Sequence, residues 1–199
     1  MEINIVHDIQ SVYRKLVDSM SRPGFISDLA PEAAKLDNTS DFSKSFMLLA
    51  FTLLDPEVSF RVCSQASSDM TEKISQLTYA KQVETEEADY VFVEKSAQEG
   101  TVNEAIQKAK AGTLKDPHLS ATIIVEVDEL SNASQFVLKG PGIQTSKMVA
   151  VSGNEGWVKA RQEKNREYPL GIDLIFIDQH QQLLALPRTT QIIENRVMV

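Results

Sequence analysis

Two apolar runs near the carboxyl end carry polar residues that a strand does not need. "YPLGIDLIF" (Tyr168–Phe176) holds Asp173 between Ile172 and Leu174, and "LLALPRTTQI" (Leu183–Ile192) places Arg188, Thr189 and Thr190 directly after a proline. A buried carboxylate left unpaired costs on the order of several kcal/mol in desolvation, so Asp173 calls for an arginine or a pair of backbone donors. If the two runs are hairpin neighbours, the start of one lies beside the end of the other, and Arg188 is within reach of Asp173. Two chemistries then stay open. The pair locks the sheet as a salt bridge, the reading that residue chemistry favours. Alternatively, Arg188 turns its five donors on a phosphate or phosphonate, with Thr189 and Thr190 adding hydroxyls.

Other candidates carry less. "GPGI" (Gly140–Ile143) follows the strand-like "QFVLK" and could bare backbone N–H groups to an anion, but a tight turn or a close backbone approach is the favoured reading. It is neither a P-loop nor a dinucleotide fingerprint, because neither the Gly-Lys-Ser/Thr frame nor G-x-G-x-x-G occurs. The single cysteine, Cys63, has no histidine near it in sequence and reads as a small buried hydrophobe, not a nucleophile. His7, His118 and His180 lie far apart with no ligand-like spacing, and no cysteine pair exists, so no metal is expected. Lys139 and Asp173 could be drafted as Schiff-base lysine and pyridinium partner of a pyridoxal-phosphate transferase, though nothing compels it.

The elements that must position these residues follow from periodicity. Ile9, Val12, Tyr13, Leu16, Val17 and Met20 recur at helical spacing, and "SRPGF" stops that helix through Pro23 and Gly24. A short strand from Phe25 to Leu29 follows, and Asp41 is placed to cap a helix that halts before Pro56. "VSFRVC" and "YVFVE" read as strands. Asp69 with Glu72, and Ser96 with Glu99, have capping-box spacing ahead of helices ending at Tyr79 and near Gly112. "ATIIVEV" and "QFVLKG" read as strands parted by a polar turn at "LSNAS". A charged helix spans about 154–167 with Trp157 as its anchor, ended by Pro169 and Gly171. "IDLIFID" and "QLLALP" form a hairpin around "DQHQQ", with a last strand in "TQIIENRV".

The pattern is one α/β domain over 1–199 with a mixed sheet flanked by helices, since a purely parallel sheet would need a crossover helix between successive strands. The 199 residues include 42% hydrophobic and 24% charged, a globular composition. A net charge of −8 works against a general nucleic-acid or membrane-surface role. No signal peptide opens the chain, and the longest apolar run, "FMLLAFTLL", is under half of the roughly 20 residues that cross a bilayer, so a cytoplasmic protein is expected.

"YPLGIDLIF" with "LLALPRTT" resembles the carboxyl-terminal signature of the phosphonate-metabolism family PhnH, a component of the carbon–phosphorus lyase system. "SMSRPG" at Ser19–Gly24, "GT" at Gly112, "SATIIVEV" from Ser120 and "GPGI" at Gly140 come in the family's order. The resemblance implies a non-autonomous member of a core complex with subunits G, I and J. That complex makes α-D-ribose 1-methylphosphonate 5-triphosphate from ATP and an alkylphosphonate. It implies a homodimer, no cofactor of its own, and a fold like a pared-down pyridoxal-phosphate transferase. A stand-alone transferase and a purely structural dimer are the alternatives. Matched positions are Arg22, Asp173, Arg188, Thr189 and Thr190, with turn glycines Gly140, Gly142 and Gly171; no catalytic residue is carried over. The chain departs from the family at Ser120, where glycine is common, and in "QIIENRVMV" after Thr190.

Overall fold

The computed structural model describes residues 4–36, 43–65 and 67–195. The chain opens with helix α1 (Ile5–Ser21), strand β1 (Ile26–Asp28), the short helix α2 (Ala30–Ala33) and helix α3 (Lys44–Leu53). Then come β2 (Ser59–Cys63), α4 (Ser67–Thr78), β3 (Lys81–Gln82), β4 (Tyr90–Val93) and α5 (Thr101–Lys108). The remainder is β5 (Thr122–Val127), β6 (Glu129–Lys139), β7 (Lys147–Ser152), α6 (Trp157–Lys164), β8 (Asp173–Asp178), β9 (Gln182–Leu186) and β10 (Gln191–Glu194).

A seven-stranded sheet runs in the order β1-β9-β8-β5-β4-β2-β3. β8, β5, β4, β2 and β3 run parallel to one another, whereas β9 runs antiparallel to both β8 and β1. The expected mixed sheet flanked by helices is therefore observed. Its central strands are apolar on both faces because both faces are covered. In register, Val91, Ile123 and Leu174 line one face, and Phe92, Ile124 and Ile175 the other. The second face is packed by Val12 and Leu16 of α1, Phe46 and Leu49 of α3, and Met70 and Ile74 of α4. Over the first lie α5, α6 and a separate antiparallel sheet in the order β10-β6-β7. Trp157 links these layers: its indole meets Phe136 of β6 at 5.5 Å and Phe176 of β8 at 4.8 Å between ring centroids.

Several expectations need correction. "LSNAS" is not a turn: it lies inside β6, whose register against β7 shifts between Ser131 and Phe136. An irregular strand tolerates those polar residues, because 132–135 are exposed. Neither expected capping residue starts its helix. Asp69 lies within α4, and Ser96 donates to Glu94 while α5 begins only after Gly100. α1 is capped by Asn4, whose side chain accepts from His7 N–H at 3.0 Å. Asp41, the expected cap of the next helix, lies outside the described residues. α6 is shorter than expected, and α2, β3, β7 and the second sheet were not foreseen. Among the described residues no helix is long and apolar enough to cross a membrane.

Candidate functional site

Asp173 opens β8, paired with Thr122 at the start of β5, and β9 ends alongside it with Leu186 opposite Leu174. Pro187 stops β9 and delivers Arg188 to that amino-terminal edge of the parallel strands. The Arg188 backbone N–H donates to Asp173 Oδ1 at 2.6 Å, and Nη2 donates to Oδ2 at 2.9 Å. Both side chains are largely buried, at 19% and 14% exposure. Nη2 also donates to the Ser120 hydroxyl, and Nη1 to the carbonyls of Pro117 at 2.8 Å and Pro169 at 3.5 Å. Both terminal nitrogens thus spend their donors on acceptors inside the protein. Both oxygens of Asp173 are occupied as well. Ser120 supplies one of the acceptors.

A second arginine underlies this turn, and sequence reasoning missed it. Arg161 of α6 is 2% exposed and donates through Nη1 to the Thr190 carbonyl at 3.0 Å and through Nη2 to the Pro187 carbonyl at 2.6 Å. Thr190 N–H closes the turn onto Pro187 O at 2.9 Å. Burial pushes the Arg161 guanidinium down to about 10, opposed by the Asp173 carboxylate. Its Nε and the buried Thr190 hydroxyl have no hydrogen-bond partner among the described residues. A signal existed: Arg161 is four residues from Trp157, on the buried side of the helix. Asn165, also unforeseen, clamps Ile172 by accepting from its N–H (2.8 Å) and donating to its carbonyl (3.0 Å). Gly171 lets the chain pass that side chain, since a Cβ there would sit 2.6 Å from Asn165 Oδ1.

The glycine turn joins two other motif segments. At Gly142 φ is +81° and a Cβ would run into the Ser21 carbonyl, so "SRPG" packs directly on "GPGI". At Gly140 a Cβ would stand 3.0 Å from the Thr189 carbonyl, so the same turn abuts "PRTT" on its other side. "GPGI" is thus a junction of backbones. The Arg22 guanidinium itself is occupied elsewhere: it pairs with Asp18 at 2.9 Å and lies over the Phe25 ring at 4.4 Å. Thr189 is exposed, and a shallow cleft of about 300 Å³ beside it is lined by His118, Tyr168, Pro169 and Arg188. Lys139, the drafted Schiff-base residue, is exposed at the end of β6. Among the described residues no group of three or more His, Cys, Asp or Glu is placed to hold a metal.

Comparison with known proteins adds a further finding. A family model described as bacterial phosphonate metabolism protein (PhnH) matches residues 3–193. The putative C-P lyase subunit protein HtxG of Stutzerimonas stutzeri is 31% identical over 185 residues, covering 92% of this chain and 85% of that protein. The α-D-ribose 1-methylphosphonate 5-triphosphate synthase subunit PhnH of Rhizobium meliloti (strain 1021) is 30% identical over 190 residues, covering 94% and 91%.

Proposed function

Because this chain belongs to the bacterial phosphonate metabolism (PhnH) family, we propose that it is a non-autonomous subunit of a carbon–phosphorus lyase assembly. In that role it supports formation of α-D-ribose 1-methylphosphonate 5-triphosphate from ATP and an alkylphosphonate in the cytoplasm. The observation that carries the reading is the match across residues 3–193, joined by two relatives whose names both say "subunit". Its expected companions are a second copy of itself and subunits G, I and J.

The geometry favours a scaffolding role for the motif residues. Arg188, Asp173 and Ser120 satisfy one another, so the Arg-Thr-Thr segment is held as a shaped turn, and its guanidinium is directed inward. What that turn offers outward is Thr189 and the cleft bounded by Tyr168 and His118, a surface suited to a partner or to one end of a shared substrate pocket. A fold likeness to pyridoxal-phosphate transferases, without their cofactor, stays part of this proposal.

The test is co-purification and growth together. In a host deleted for its own PhnH, the tagged chain restores growth on methylphosphonate as sole phosphorus source and brings down subunits G, I and J in mild salt. A soluble chain that is recovered alone and fails to restore growth overturns the reading.

A further inference from the structure

The opposite edge of the main sheet carries an independent feature. β2 leads into α4, which packs with Phe60 and Val62 on one face, whereas β4 leads into α5 on the other face. The winding therefore reverses between β2 and β4. In open α/β sheets a ligand sits outside the carboxyl ends of the strands at such a point. A cavity of about 660 Å³ lies there.

Its floor is the side of β2 that no helix covers. Phe60 and Val62 face the α4 layer, so alternation turns Arg61 and Cys63 to the α5 side, where both are only partly buried. One wall is the segment after β3 with Glu84 and Glu86, and the other is α5 with Glu104 and Lys108. Arg61 pairs with Glu84 at 3.3 Å; Lys108 pairs with Glu104 at 2.7 Å and with Glu86 at 4.0 Å. Three carboxylates against two cations leave the lining acidic, in a protein already at −8, so a phosphate group is repelled. Carboxylates accept from hydroxyl donors, and a ribose diol is the usual hydroxyl-rich group held by an acidic residue at a switch point. Cys63, Ala97 and Ala105 add a strip of small apolar surface on which a flat ring can lie. The Ser64 hydroxyl, also in the lining, is buried without a hydrogen bond among the described residues.

We propose that this groove binds an uncharged, diol-bearing small molecule, with the diol held between the Glu84 and Glu86 wall and Glu104 of the facing α5, and a ring against Cys63, Ala97 and Ala105. A nucleoside satisfies both halves, and a free sugar only the first. The proposal does not rest on the phosphonate assignment, since the Arg188 cluster lies at the other edge of the sheet.

Cys63 is the only cysteine of the chain and reports on the groove directly. Burial raises its pKa, so labelling is run in alkaline buffer. The measurement is its alkylation rate by iodoacetamide in the purified chain, titrated with adenosine, ribose, inorganic phosphate or ATP. Adenosine slows labelling at the lowest concentration, ribose needs more, and phosphate leaves the rate unchanged. Glu86→Gln with Glu104→Gln, both at exposed positions, raises the protecting concentration of adenosine about tenfold by weakening charge-assisted hydrogen bonds. Three results overturn the site: no protection by adenosine or ribose, protection by phosphate or ATP equal to that by adenosine, or unchanged protection in the double variant.

Discussion

Arg188 reaches one carboxylate through both its main chain and its side chain, so the Asp173 pair is a hairpin lock as well as a charge pair. Removing one partner leaves a largely buried charge without its counterion, whereas removing both leaves neither. Arg188→Ala is therefore expected to lower stability by about 3 kcal/mol, and Asp173→Asn with Arg188→Ala to lower it by less than the sum of the single changes. Denaturant unfolding of the four proteins measures the coupling; additivity would show that the two charges act independently. This pair was legible because hairpin register fixes which ends of two runs meet. The burial of Arg161 had a signal in its spacing from Trp157, but its partners had none, because its acceptors are the carbonyls of Pro187 and Thr190, and a backbone carbonyl carries no mark in the sequence. Ser120 escaped for a related reason: its partner lies 68 positions away, across a loop whose path no local pattern sets.

Among the elements, α1 declared itself by apolar spacing, and α3 and the central strands by their apolar runs, whereas the caps did not. Capping boxes need both a spacing and a helix that starts there; at Ser96 the hydroxyl finds Glu94 instead, and a glycine with φ of +86° begins α5. Short α2 has little apolar pattern of its own and is held by charge. Glu32 accepts from Lys15 Nζ at 2.6 and 2.8 Å and from the Ser11 hydroxyl at 2.7 Å, and the same ammonium also donates to the Asp28 carbonyl. Burial raises the Glu32 pKa, but the bonds from Lys15 and Ser11 outweigh it, and the group rests below its ordinary 4.5. An acid depressed in this way contributes stability that is complete above its unfolded value and is lost as pH falls through the folded one. Asp89, which burial alone would raise, is likewise depressed by Lys110 and Ser59 and adds in the same window. Stability should then be level near neutrality and decline below about pH 4.5. Glu32→Gln should lower the neutral plateau and make the acid decline shallower. An unchanged acid slope in that variant would mean that the ion pair between α1 and α2 does not hold the corner.

At the scale of the whole molecule, the apolar runs in "QFVLKG" and "TQIIENRV" announced two strands of the second sheet, but β7 and the separation of this sheet from the main one had no mark in the sequence. β6, β7 and β10 share their inner face with α5 and α6 against the main sheet, through Leu130, Phe136, Leu138, Val149, Val151 and Ile192. Separating that sheet from the face it covers exposes apolar surface on both, at about 25 cal/mol per Å². We therefore expect 1–199 to behave as one cooperative unit. Trp157 is the only tryptophan, 1% exposed, and touches Phe136 on the small sheet and Phe176 on the large one, so its fluorescence reads the seam between layers. Far-UV circular dichroism reads the helices, most of which lie on the opposite face of the main sheet. The two signals should trace one denaturant midpoint. If fluorescence changes at lower denaturant than ellipticity, the small sheet detaches first, and the turns at Gly140 and Thr189 that it carries become a separately mobile surface for a partner to capture. If the midpoints coincide, those turns are held by the full stability of the fold, and a partner meets them already formed.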